Sequence, residues 1–156
     1  MKLSRGEEVW LIASFGMILI FMFITGYQTF ALGMGPPSHQ ETIDPQQVDE
    51  TAPFDNPGVK KIADNEYEMV MTLQLFNFTP GEIEVPAGST VHFILTSKDV
   101  THGFQVADTN INAMVMPGYI QKITQTFDEP GSYLVLCNEY CGAGHQAMST
   151  TIKVTE

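Results

Sequence analysis

Positive charge is scarce in this chain. Its 156 residues hold seven Lys and Arg against eighteen Asp and Glu, a formal net charge of −11. Phosphate binding relies on clustered Lys and Arg, so this balance argues against nucleic acid and leaves room for a basic protein partner. Cysteine is nearly absent: two residues cannot build a disulfide-dense secreted scaffold. Only one Trp is present, Trp10. The length allows one domain plus an appendage and no large multidomain enzyme. Apolar residues, in contrast, make up 44%, which excludes a disordered acidic tail. The mean hydropathy of +0.01 is high for so acidic a chain, so one segment must be strongly apolar.

That segment is Val9 to Leu32, 24 residues without a charge. As a helix it would reach about 36 Å, enough to cross a hydrocarbon core about 30 Å thick with some tilt. Trp10 at one end, and Tyr27 and Phe30 at the other, suit aromatic belts. A cleaved signal peptide is the alternative, with Thr29 and Ala31 as a weak cleavage signal, but its apolar run would be shorter, about 7–15 residues. A helix packed on the surface of a small domain would show a polar face, which this run lacks, so a core helix is the less favoured reading. Lys2 and Arg5 precede the run, and no Lys or Arg follows until Lys60. The positive-inside rule therefore predicts a cytoplasmic N-terminus and a C-terminal part outside the cytoplasm. Basic and acidic groups cancel over residues 1–32, so the whole −11 belongs to residues 33–156.

Three regions are expected: residues 1–32 as N-terminal segment and membrane span, 33–59 as an extended linker, and 60–156 as an extracytoplasmic domain. The linker carries Pro36, Pro37, Pro45, Pro53 and Pro57 and keeps no periodicity. Its His39 has no assigned role. Beyond Lys60 the pattern is period two: Tyr67, Met69, Met71, Leu73 and Leu75 alternate with polar residues, as do Val91, Phe93 and Leu95. Ile83 to Val85, Gly103 to Ala107, Gln121 to Phe127, Ser132 to Leu136 and Thr150 to Val154 complete about seven strands. Asp128-Glu129-Pro130-Gly131 is a turn signal. A mainly β Greek-key sandwich behind one transmembrane helix follows.

The chemistry is concentrated in Cys137-Asn138-Glu139-Tyr140-Cys141-Gly142-Ala143-Gly144-His145-Gln146-Ala147-Met148. Thiolate, imidazole and thioether are soft ligands that suit copper better than a hard cation. A second imidazole is available at His102, at a strand start. A disulfide would leave His145 and Met148 without a reason. A zinc site of Cys137, Cys141, His145 and His102 gives Met148 no job. A mononuclear blue-copper site needs one Cys, not two. Two thiolates bridging two coppers would use every ligand.

The string C-x-E-x-C-G-x-x-H-x-x-M, with Asp99-Val100-Thr101-His102-Gly103-Phe104 upstream, closely resembles the dinuclear copper (CuA) domain of cytochrome c oxidase subunit II. Thr109-Asn110-Ile111-Asn112 and Met116-Pro117-Gly118-Tyr119 resemble the family's intervening segments. The single span and Ile43-Asp44-Pro45 resemble the B-type haem-copper oxidases. The resemblance implies a cupredoxin-like fold. It implies that two copper ions are held by the side chains of His102, Cys137, Cys141, His145 and Met148 and by the main-chain carbonyl of Glu139. In A-type relatives the side chain of that Glu also reaches magnesium or manganese at the boundary with subunit I. Glu139 is thus a candidate for a magnesium ion here, against the plainer reading of a solvated carboxylate.

The implied role is electron entry to a terminal respiratory oxidase: single electrons pass from cytochrome c or a similar donor, through copper, to haem in subunit I. A small third subunit is a further expected partner, with membrane lipid, and the setting is the plasma membrane of a prokaryote. Oxygen reduction would belong to subunit I. The exposed Trp of the A-type docking site has no counterpart, since Trp10 lies in the span. Phe76 and Phe78 are candidate substitutes, with ordinary packing as the alternative. His92 reads as a surface residue. Glu7 or Glu8 is a candidate for the B-type carboxylate that assists proton entry. The competing class is a membrane-anchored copper chaperone or thiol reductase with a C-x-x-x-C site.

Overall fold

The computed structural model describes residues 4–31 and 41–156. Leu32 and His39 lie outside them. The described residues form two compact units, residues 4–31 and residues 41–156.

The first unit is a single helix, α1, Arg5–Phe30. Ser4 caps it: its hydroxyl accepts the Glu7 N–H, and the Glu7 carboxylate accepts the Ser4 N–H at 2.6 Å. This reciprocal box satisfies two N–H groups that a helix start leaves free, and it gives Glu7 a structural job. The helix has no buried residue, and its most apolar window has a mean hydropathy of 2.3. It is long and apolar enough to cross a membrane. In its C-terminal part the Thr25 hydroxyl turns back to the carbonyls of Phe21 and Met22. A polar group among apolar side chains is satisfied within the helix that way.

The second unit is a β-sandwich of ten strands among the described residues. They are β1 (Gly58–Ala63), β2 (Glu66–Gln74), β3 (Asn77–Thr79), β4 (Ile83–Pro86), β5 (Ser89–Ser97), β6 (His102–Val106), β7 (Asn112–Val115), β8 (Gln121–Phe127), β9 (Gly131–Leu136) and β10 (Ser149–Thr155). One sheet has the order β1-β2-β5-β8, with β3 also on β2, and the other β4-β10-β9-β6-β7. β2 runs parallel to β5, and β4 parallel to β10. Connections therefore cross between sheets, which gives the Greek-key character and the cupredoxin-like fold.

The inward-facing residues interlock as their alternation predicts. Met69, Met71 and Leu73 from β2 meet Val91, Phe93 and Leu95 from β5, and Phe104, Val106, Val135, Ile152 and Val154 from the facing sheet. A row of rings runs through this core: Phe78 to Phe104 at 6.2 Å, Phe104 to Phe93 at 5.4 Å, Phe93 to Phe127 at 6.4 Å, and Phe127 to Tyr133 at 5.1 Å. Such tilted and edge-on contacts favour aromatic pairs beyond area burial alone.

One feature differs from the sequence expectation: three strands, β1, β3 and β7, are present where the sequence shows no clean alternation. The expected 33–59 linker, irregular and either packed or mobile by its composition, is packed over its described part, residues 41–57. Ile43, Val48 and Phe54 are buried against Val70 of β2, with Ile94 and Ile120 beside them. A short 3₁₀ turn, Val48–Glu50, shapes this strap. Ile43 N–H donates to Gly118 O, Ile120 N–H to Glu41 O, and Lys98 and Lys122 pair with Asp49 and Glu41. The strap covers the outer face of the sheet, which explains why Val70 is buried although it points away from the main core.

Candidate metal centre

The sandwich gathers at one end the residues that its sequence holds apart. Cys137 follows β9 directly, and its N–H donates to Met148 O, closing the loop of residues 137–148 into a hairpin-like turn. The loop is held inside by His145 N–H to Gly142 O, Ala147 N–H to Gly144 O and Met148 N–H to His145 O. His102, at the start of β6, arrives from the same sheet.

All six candidate residues converge. The Cys137 and Cys141 sulfurs stand 3.7 Å apart, and both cysteines are free and buried. A disulfide requires about 2.05 Å. Cys137 Sγ lies 3.9 Å from His102 Nδ1 and 3.2 Å from the main-chain oxygen of Glu139. Cys141 Sγ lies 3.6 Å from His145 Nδ1 and 3.8 Å from Met148 Sδ. His102 and Met148 are fully buried, whereas His145 is half-exposed beside the Tyr140 ring. The pair of sulfurs thus sits at the centre, with one imidazole on each side. His102, Cys137 and Cys141 bring their ligand atoms within 4.8 Å of one another.

Neighbours that the sequence did not single out as site residues orient these groups. Asp99 Oδ1 accepts the His102 Nε2–H at 2.8 Å, which leaves the Nδ1 lone pair facing the sulfurs. The same carboxylate accepts the N–H of Leu75 at 2.7 Å and of Val100 at 2.6 Å. Partial burial pulls the Asp99 carboxyl upward, and the His102, Leu75 and Val100 hydrogen bonds outweigh it, so it rests below the ordinary carboxylate value. Burial first, and then the Cys137 thiol beside it, push the Cys141 thiol up to about 11. Gly103 N–H donates to Cys137 Sγ at 3.4 Å. Gly103 also lies where a side chain would strike Asn138, itself tied to Asn112 at 2.8 Å. The signal for Asp99 was present, three residues before His102; the meaning of Gly103 was invisible without its neighbour across the sheet.

The two phenylalanines part ways. Phe78 is buried in the core and offers no docking surface, because β3 turns its ring inward against Phe104. Phe76 is 38% exposed and rests against Gly142 and Gly144 of the ligand loop. His92 lies on the outer face and pairs with Thr124 Oγ1 at 2.9 Å.

The donor set fits copper. Two buried thiols close enough for one ion to touch both, two imidazoles and a buried thioether form a soft pocket. Fold and site together define a cupredoxin-like domain with a copper-binding cluster at one end of its sandwich.

Comparisons with known proteins agree. The family model for cytochrome c oxidase subunit II, periplasmic domain, matches residues 61–155. A cytochrome c oxidase subunit 2 of Thermus thermophilus is 39% identical over 154 residues, covering 96% of this chain and 92% of that protein. A second from Thermus thermophilus is 41% identical over 130 residues, covering 82% and 96%. Among solved structures, a chain of a haem-copper terminal oxidase dimer superposes with a TM-score of 0.81 at 32% identity, covering 96% of this chain and 99% of that one. The chain belongs to the cytochrome c oxidase subunit II family. It is therefore a copper-binding subunit of a haem-copper oxidase complex, anchored in a membrane and carrying a periplasmic domain.

Proposed function

We propose that this chain is the electron-entry subunit of its oxidase: single electrons from cytochrome c or a similar donor arrive at a dinuclear copper (CuA) centre and leave for haem in subunit I. The observation that carries this reading is the convergence of two free, buried thiols with His102, His145, Met148 and the Glu139 carbonyl in one cluster. When bound, copper would supply one-electron redox chemistry there. The side chains of Cys137, Cys141, His102, His145 and Met148 and the main-chain carbonyl of Glu139 would hold it. Both cysteines and Met148 are buried, and a ligand set of six donors would leave little room for substrate, which suits transfer and not bond-making chemistry.

The placement follows the flanking charges: N-terminus cytoplasmic, one span, and the C-terminal domain, residues 60–156, on the periplasmic or extracellular side of a prokaryotic plasma membrane. Subunit I holds the haem and reduces oxygen, and a small third subunit completes the set of expected partners. The net charge of −11 favours a basic donor. The thiol reductase reading has less support, because such an enzyme opens an α-helix with its Cys pair. Here the pair follows β9, and among the described residues the helical turn beside it is the 3₁₀ turn His145–Ala147.

The deciding experiment is electron paramagnetic resonance of the full chain loaded with copper. A seven-line mixed-valence spectrum is expected. A four-line spectrum would assign a mononuclear site, and silence with bound zinc would remove the redox role. The Glu139 carboxylate remains the candidate for a magnesium ion. Metal analysis of the assembled complex and of its Glu139→Gln variant tests it, and equal magnesium and manganese in both would reject it.

A further inference from the structure

The turn that joins β2 to β3 touches both halves of the ligand set. On one side, Leu75 N–H donates to Asp99 Oδ2 at 2.7 Å, and the other oxygen of that carboxylate holds His102 at 2.8 Å. On the other side, the next residue, Phe76, lies against the loop that carries Cys141, His145 and Met148. A Cβ at Gly144 would fall 2.5 Å from Phe76 Cδ2 and 2.7 Å from Cγ, and one at Gly142 would fall 3.2 Å from Cε1 and Cζ. The ring therefore fills the space that side chains at 142 and 144 would occupy. Two consecutive residues connect the upstream imidazole to the downstream loop.

The downstream loop needs such support. His145 is the half-exposed member of the set, and its turn is held by only three short-range backbone hydrogen bonds. Glycines at 142 and 144 add no packing of their own. Support from outside the loop must come from a neighbour, and Phe76 is in that place.

We propose that Asp99 and Phe76 are positioning residues joined through the Leu75–Phe76 turn into one brace, which fixes His102 and the 142–145 loop relative to each other. The proposal rests on the copper reading above and adds to it a mechanical coupling between the two imidazole sides. Loosening either end lets the turn shift, so each end depends on the other.

The test uses the full chain in detergent, loaded with copper, as Asp99→Asn, Phe76→Ala and the double variant. Asn retains one acceptor oxygen but presents an NH₂ in place of the other. It therefore cannot serve both His102 and Leu75, while size and packing are kept. Each single variant should keep the seven-line spectrum with altered hyperfine splitting and release copper to a chelator about 10-fold faster. The double variant should release it by clearly less than the product of the two single effects, because the second change acts on a turn already freed. Unchanged release and splitting in both single variants, or strictly multiplicative release in the double variant, would overturn the proposal. Hydrogen exchange of the copper-free chain supplies a reading independent of metal. The amides of His145, Ala147 and Met148 should exchange faster in Asp99→Asn as well as in Phe76→Ala, and no change at these amides in Asp99→Asn overturns the brace. Absence of the seven-line spectrum in the unsubstituted chain would instead reject the copper reading, and the exchange data would then decide the brace alone.

Discussion

Replacing Gly103 with alanine places one methyl group in a space that does not exist. The new Cβ would lie 1.9 Å from Asn138 Oδ1, 2.5 Å from Asn138 N and 2.8 Å from Glu139 N. The amide of Asn138 can swing away, at the loss of its bond to Asn112. The two backbone nitrogens cannot yield without moving the loop that follows Cys137. Overpacking of this kind costs about 1–3 kcal/mol, and backbone contacts on two residues put this case near the upper end. The Gly103 N–H to Cys137 contact is strained by the same movement. With about 4 °C lost per kcal/mol in a domain of this size, the melting temperature should fall by roughly 10 °C. The assay is thermal unfolding of the full chain with and without copper, beside the copper spectrum. Gly81 serves as the control: its Cβ would meet nothing within 4 Å, so Gly81→Ala should stay within about 0.5 kcal/mol of the parent. A Gly103→Ala chain that melts within about 2 °C of the parent and keeps its copper spectrum would refute the close approach of β6 to the ligand loop.

Phe54 sits in the strap ahead of β1 yet is fully buried, so Phe54→Ala should cost the domain about 3–5 kcal/mol in chemical denaturation, and a loss under about 0.5 kcal/mol would mean that the strap is detachable. Copper must displace the proton of Cys141, whose thiol is held up to about 11, so copper affinity should rise by about tenfold or more per pH unit from pH 6 to 8 in a competition titration. The same raised thiol contributes stability to the copper-free fold that is fully present below the ordinary thiol value of 9.0 and is lost as pH climbs toward 11, which denaturation at high pH will register. Steering by the acidic domain should show as an electron-transfer on-rate with a basic cytochrome c that falls at least about tenfold from low to high salt, and a rate indifferent to salt would assign the docking surface to apolar contact.

The long apolar helix, the sandwich and the Cys/His/Met cluster were legible in the residues themselves, because each rests on a local pattern. An uncharged run of lipid-crossing length needs no tertiary context, nor does the alternation of Met69, Met71 and Leu73 or of Val91, Phe93 and Leu95. The cluster from Cys137 to Met148 is close in sequence because one loop supplies it. What escaped was whatever depends on a neighbour distant in the chain. β1, β3 and β7 are short or polar, and the sheets they join specify them more than their own side chains do. Residues 41–57 have a linker's composition, yet three apolar side chains suffice to fasten them once the outer face of β2 and β5 offers Val70 and Ile94. Phe76 and Phe78 are two residues apart, and only the path of β3 sends one into the core and leaves the other against Gly142 and Gly144. The sequence by itself determined which chemistry is available, because ligand softness and hydrophobicity are properties of single residues and short runs. Only the tertiary structure decided that Asp99 orients His102 and that Gly103 leaves room for Asn138, because hydrogen bonds and steric exclusion act across space and carry no trace of order along the chain.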